Sequence, residues 1–236
     1  HMTEIGSAVL PALQQRETAH RYMLGLYRVL EEITAAFPDI LFESCSGGGG
    51  RFDPGMLYYM PQTWTSDDTD AMERLKIQYG TSLAYPASTM GSHVSAVPNH
   101  QLGRITPIET RGAVAMAGSF GYELDLTKLS AEDKNKIRQQ VAQYKELRHL
   151  LQFGDLYRLK SPLAGNETAW MVVSADQKEA YVTYVRVLAE ANPANCWLHL
   201  AGLAEAQDYK VSVVAMQEMG ETAQDIPVSW HIKAET

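Results

Sequence analysis

Ile40-Leu41-Phe42-Glu43-Ser44-Cys45-Ser46-Gly47-Gly48-Gly49-Gly50-Arg51-Phe52-Asp53-Pro54-Gly55-Met56 and, four residues later, Pro61-Gln62-Thr63-Trp64-Thr65-Ser66-Asp67-Asp68-Thr69-Asp70 decide the reading of this chain. Each stretch starts as a short run suited to a buried strand and breaks into a cluster of turn residues. Each is followed by a segment of helical period, Met56 to Met60 after the glycines and Thr69 to Tyr79 after the aspartates. A strand, a polar loop and a helix, repeated, form the unit of a parallel α/β protein.

The unit extends in both directions. Upstream, Ala19, Tyr22, Leu26, Val29, Leu30 and Ile33 recur every three or four positions, predicting an amphipathic helix from Gln14 to Phe37 that Pro38 ends. Downstream, Ser82 to Pro86 reads as a strand stopped by proline, then a long loop runs through Asn99 and His100. Pro107 to Ala117 reads as a helix with proline in its first turn, and Phe120 to Leu126 as a strand. Ser130 to Leu151 reads as a long helix with a serine N-cap and an acidic first turn. Four strands, each followed by a helix, amount to half of an eight-stranded barrel.

After Phe153-Gly154 the texture changes. Ala169 to Val173 and Ala180 to Val187 are rich in aromatic and β-branched residues, and Leu198 to Leu200, Lys210 to Val214 and Val228 to Ile232 are shorter strand candidates. The expected organisation is α/β over residues 3–152, the second half of a (β/α)8 (TIM) barrel, then a C-terminal antiparallel all-β domain over residues 153–236.

Composition narrows the partners. The 236 residues carry a net charge of −8, with a pI near 5.4, which argues against nucleic acid and anionic membranes. No apolar run approaches the ~20 residues of a membrane span, and no signal peptide is read. Cys45 and Cys196 form no disulfide framework, so a reducing cytoplasm is the simpler setting. His1-Met2 reads as an expression-vector remnant, so the natural chain is expected to start further upstream.

The chemistry concentrates between Glu43 and Asp70, because strand ends are where parallel α/β folds place functional groups. Four glycines permit close backbone approach to a ligand, yet Arg51-Phe52 follows them, so this is no phosphate loop. Three carboxylates within four residues disfavour one another's ionised form, which suits a general acid. A calcium loop would need a turn glycine and a distal glutamate that do not follow. Helix capping accounts best for Asp68 and Asp70; at Asp67 capping and acid–base chemistry weigh about equally. Trp64 suits a sugar face, although taken alone it reads as core. Cys45 reads first as a small buried hydrophobe. His93 and His100 fit no metal spacing and are expected to order their loop through hydrogen bonds. A Ser92-His93-Asp67 triad can be drawn, without a nucleophile-elbow motif to support it.

Taken together, Leu41 to Ser46 with Gly50 to Met56, Pro61 to Asp70, His93-Val94-Ser95-Ala96-Val97-Pro98-Asn99-His100 and Phe120-Gly121-Tyr122-Glu123-Leu124-Asp125-Leu126 resemble the family 36 α-galactosidases, in order and from about Thr3 to Tyr209. That resemblance implies a retaining glycoside hydrolase acting on terminal α-galactosides, homo-oligomeric at full length, with neither cofactor nor metal. It implies Asp67 as general acid/base, Cys45 and Gly47 as contacts to galactose hydroxyls, and Trp64 as a wall of the site. The strands would be barrel strands five to eight. One departure matters: the family's nucleophile lies in a Lys-Trp-Asp-Met-Asn-Arg motif that this chain lacks. Alone, the chain is expected to be inactive and to associate through exposed sheet edges. A non-catalytic galactose-binding module and a raffinose-synthase-like α-galactosyl transferase are the alternatives.

Overall fold

The computed structural model describes residues 6–188, 191–192, 196–205, 207–212 and 230–232. They belong to two compact units, His1–Asp67 and Asp68–Thr236.

In the first unit a 3-10 turn, Ala12–Glu17, leads into α1, Thr18–Ala36, whose apolar stripe buries Leu30. Pro38 lies two residues beyond its end, where the ring can no longer continue a helix. Strand β1, Glu43–Ser44, runs parallel to β2, Gln62–Trp64, with Glu43 beside Gln62 and Ser44 beside Thr63. The pair is reinforced on its surface, where Gln62 Nε2 donates to Glu43 Oε2 at 3.0 Å. Between the strands, α2, Pro54–Tyr59, starts on Asp53, whose Oδ1 accepts the Met56 N–H at 2.9 Å. Proline at the first helical position costs no hydrogen bond there, so the Asp-Pro pair fixes the start. The strand is shorter than the apolar run suggested. Ile40 and Leu41 are 55% and 73% exposed. Their ladder would lie upstream of Glu43, and β2 reaches only Glu43 and Ser44.

The second unit opens with α3, Ala71–Thr81. Strand β3 is Met90–Ser95, parallel to β4, Ser119–Glu123, with Gly91 opposite Ser119 and Ser95 opposite Glu123. This corrects the strand expected at Ser82 to Pro86; those residues form turns, and the ladder lies in what read as loop. Met90-Gly91-Ser92-His93-Val94-Ser95 lacks the β-branched density of a typical buried strand, yet five of its six residues are buried. Its polar groups are met by long side chains from the helices. Ser92 Oγ donates to Gln78 Oε1 at 2.7 Å, Arg74 Nη2 to the Gly91 carbonyl at 2.9 Å, and Arg111 Nη1 to the Ser95 carbonyl at 2.6 Å. Arg74 is 2% exposed, and burial pulls its guanidinium down to about 10.

Helix α4, Ile108–Ala115, covers this ladder, and Val94, Ile108 and Ala115 form one core cluster. Helix α5, Ala131–Phe153, starts as read, with Ser130 Oγ accepting the Asp133 N–H at 3.0 Å. Its last turns bury Leu150 and Leu151 with Met116 and Val172. Burying side chains of this size is worth about 1.5–3 kcal/mol each, so this cluster ties the α/β layer to the sheet that follows.

That sheet is antiparallel: β5, Asp155–Lys160, pairs with β6, Glu167–Val173, which pairs with β7, Ala180–Arg186. Strand β5 had gone unread because Asp155, Arg158 and Lys160 hide its alternation. Strands β8, Tyr209–Val211, and β9, Trp230–Ile232, form a second antiparallel pair. Residues 213–214 and 228–229 of the expected strands lie outside the described residues. Leu198 to Leu200, expected as strand, has no regular structure. The expected boundary at 152/153 falls on the last residues of α5.

Candidate active site

The glycine loop is built by backbone positions that only glycine fills comfortably. Gly48 and Gly49 have φ of +71° and +87°, the left-handed region that costs other residues about 1–2 kcal/mol. A Cβ on Gly48 would stand 2.5 Å from Asp67 N and 2.6 Å from Ser66 Cα; one on Gly49 would stand 3.0 Å from the Thr65 carbonyl oxygen. The loop after β1 is therefore pressed against the backbone after β2, with no room for a side chain between them. Gly50 N–H donates to the Ser46 carbonyl at 3.1 Å and Phe52 N–H to that of Gly49 at 3.0 Å, closing the loop.

The expected site residues all lie in the first unit, at or just beyond the C-terminal ends of its two parallel strands. Asp67 is exposed, three residues past β2. Trp64, the last residue of β2, is half-buried, so it is neither a core tryptophan nor a free one. Gly47 is exposed with φ +59°. Cys45 is exposed too, a correction to its reading as a buried hydrophobe: it follows the last paired residue of β1 and faces solvent.

The three aspartates part company. Asp70, 2% exposed, caps α3 by accepting the Met72 and Glu73 N–H groups at 3.0 and 3.1 Å. Its Oδ1 also takes the Arg104 guanidinium. Asp68 Oδ1 accepts the Asp70 N–H at 3.0 Å. Asp70 is the cap that the sequence implied, whereas Asp68 does not cap the helix, which starts two residues later than read, but holds the turn before it; Asp67 is the carboxylate left facing outward.

Sequence reasoning missed two features. Arg51 Nη2 donates to Tyr22 OH at 2.9 Å and its guanidinium lies 5.7 Å from that ring, which anchors the exit of the glycine loop to α1. An arginine directly after four glycines was the available signal. In the second unit, buried Asn99 holds its turn by accepting the Gln101 and Leu102 N–H groups, both at 2.9 Å, while its Nδ2 donates to Thr69 Oγ1 at 3.0 Å. The drawn triad loses its nucleophile. Ser92 is 1% exposed and donates to Gln78, and His93 lies on β3 with Nδ1 3.6 Å from Glu123 Oε2. His100 is exposed. Among the described residues no group of three or more histidine, cysteine or acidic side chains could hold a metal ion. None of the described helices is long and apolar enough to cross a membrane.

Parallel strands alternating with helices, a glycine loop and an outward carboxylate at strand ends, and an antiparallel sheet after the last helix define part of a (β/α)8 barrel with a C-terminal β-domain. Residues 1–154 match the Melibiase family and residues 167–226 the glycosyl hydrolase family 36 C-terminal domain. The chain belongs to the Melibiase family. It is 70% identical over 211 residues to the α-galactosidase AgaA of Geobacillus stearothermophilus, a match covering 89% of this chain and 29% of that protein. It is 55% identical over 210 residues to α-galactosidase 1 of Pediococcus pentosaceus, covering 89% and 29%. Among solved structures, a variant of AgaA in complex with raffinose superposes with a TM-score of 0.86 at 70% identity, covering 88% of this chain and 29% of that one. The chain thus spans less than a third of the length of the relatives it matches.

Proposed function

We propose that this chain is the acid/base-bearing part of a retaining α-galactosidase, with Asp67 as the proton donor. The observation that carries the proposal is an exposed carboxylate just past the end of a parallel strand, its own backbone N–H in contact range of a glycine loop that leaves no room for a side chain. A rigid glycine floor lets a sugar approach the backbone closely, and half-buried Trp64 offers an apolar surface to a pyranose face. Cys45 and Gly47 would contact the galactose hydroxyls. Residues 3–152 would form the second half of the barrel and 153–236 the antiparallel β-domain. The named relatives support α-galactoside oligosaccharides as substrates, since AgaA structures hold raffinose and stachyose. A cytoplasmic homo-oligomer working in carbohydrate metabolism, with no nucleic-acid or membrane partner, completes the reading.

In the reaction, a nucleophilic carboxylate from outside this chain attacks the anomeric carbon while Asp67 protonates the departing oxygen. Water then attacks the galactosyl ester, and Asp67 removes its proton. A retaining pair needs its carboxylates about 5–5.5 Å apart, so the floor under Asp67 must be stiff.

The test uses the chain alone and the chain joined to an upstream segment bearing the Lys-Trp-Asp-Met-Asn-Arg motif. The chain alone should not hydrolyse an aryl α-galactoside, and the joined protein should, with retention at the anomeric carbon. Asp67→Asn in the joined protein should slow galactosides of poor leaving groups far more than those of good ones. Equal loss on both would remove Asp67 from the donor role. Galactose binding without turnover by the joined protein would point to a binding module, and transfer to sucrose in preference to water to a transferase.

A further inference from the structure

Far from the glycine loop in sequence, one end of the β5–β6–β7 sheet carries a cluster that the galactosidase reading does not use. Glu167 opens β6 opposite Arg186 on β7. Its Oε1 accepts Tyr184 OH at 2.5 Å and Arg186 Nη2 at 2.8 Å, and its Oε2 pairs with Lys160 Nζ. Lys160 Nζ in turn lies 3.3 Å from Cys196 Sγ, whose thiol stands 3.6 Å from Glu167 Oε2. Lys160 and Arg186 both lie 5.9 Å from the Tyr184 ring. One carboxylate faces two cations, so the cluster carries one uncompensated positive charge beside the Cys196 sulfur. Cys196 is exposed, and a thiolate beside an ammonium within reach of solvent is the reactive form of the residue.

We propose that Cys196 and Lys160 are a modification site at which a hydroperoxide drives formation of a covalent nitrogen–sulfur link. In the first step the Cys196 thiolate attacks the peroxide O–O bond. Sulfur gains one oxygen and is oxidised to sulfenic acid, and the peroxide is reduced, leaving as water or alcohol. In the second step the Lys160 amine attacks that sulfur, the N–S bond forms, the S–O bond breaks and the hydroxyl leaves as water. Sulfenic acids condense with nitrogen in this way. Each side chain loses one hydrogen, and one peroxide is consumed.

Geometry sets the order of events. Lys160 is held as an ammonium by its hydrogen bonds to Glu167 and then Cys196, and Glu167 is held at about 2 by Lys160, Tyr184 and Arg186. The ammonium therefore limits the second step, since only the free amine attacks. The proton it sheds leaves through the adjoining Glu167 carboxylate to solvent. Tyr184 stays neutral throughout, because burial and its hydrogen bond to Glu167 raise it. The link should form faster as pH rises from 7 to 9.

The experiment treats the purified Cys45→Ser chain with hydrogen peroxide and follows intact mass and peptide maps. The expected result is a chain lighter by two hydrogens, a linked peptide pair containing Lys160 and Cys196, and reversal by a thiol reductant. Lys160→Arg keeps the cation and should stop at a sulfenic acid that dimedone traps. A Cys45→Ser chain that only gains oxygen, with the Lys160 peptide unlinked at every pH, overturns the proposal. So does a peroxide-treated chain that only dimerises through Cys196.

Discussion

Replacing Gly48 by alanine should damage the site's floor more than any other single methyl group. The new Cβ would stand 2.5, 2.6 and 2.9 Å from Asp67 N, Ser66 Cα and Ser66 C, all backbone atoms that cannot rotate away. Two costs combine. Holding alanine at φ +71° costs about 1–2 kcal/mol, and forcing atoms into filled space costs about 1–3 kcal/mol. The expected loss is about 2–5 kcal/mol from the first unit. Gly103 separates the two terms, because its φ is +68° and nothing lies within 4 Å of its Cβ position. Gly103→Ala should therefore cost only the backbone part, about 1–2 kcal/mol. Gly80, inside α3 with nothing within 4 Å, should gain about 0.5–1 kcal/mol as alanine. Hydrogen exchange across a urea series, read peptide by peptide, gives each unit its own midpoint. A Gly48→Ala loss no larger than that of Gly103→Ala would refute the contact between the glycine loop and the Asp67 backbone. In the joined, active protein the same substitution should lower kcat, since relief of the clash shifts the glycine loop and the Ser66-Asp67 backbone apart.

Three further outcomes follow from the same structure. Asp67→Asn in the joined protein should cost about 10²–10⁴ in kcat on galactosides of poor leaving groups, as loss of a general acid does, while urea midpoints stay unchanged because the side chain is exposed. Asp70→Ala removes an N-cap, worth about 0.5–2 kcal/mol, and leaves Arg104 with the more distant Glu73 carboxylate at 3.9 Å; because Arg104 is 38% exposed and partly screened, the total should be about 1–3 kcal/mol by chemical unfolding. Glu167 is held at about 2, below its ordinary 4.5, first by Lys160, so its contribution to stability is present above pH 4.5 and lost as pH falls towards 2. Acid unfolding of the β5–β7 sheet should lose that pH dependence in Glu167→Gln, and an unchanged acid limb would contradict it.

Local rules carried well where a helix start has its own chemistry. Asp70 and Ser130 cap their helices as capping implied, while Asp53-Pro54 starts α2 two residues before the Met56 that periodicity marked. They failed at β3, because a strand covered by polar helix side chains need not look apolar: Gln78, Arg74 and Arg111 meet groups that would otherwise be stranded. They failed at β5 for the opposite reason, since its charged residues are surface positions of a real ladder.

Of the candidate site, the chain's order of residues determined the glycine loop, the aspartate cluster and the strand ends that carry them, because turn chemistry and capping act within a few residues. Which aspartate faces outward was a tertiary decision. Asp70 is claimed by Arg104, 34 residues away, and Asp68 by the turn that Asp70 closes. The close seat of Gly48 on the Asp67 backbone was equally invisible, since it joins the ends of two strands whose pairing no local pattern encodes.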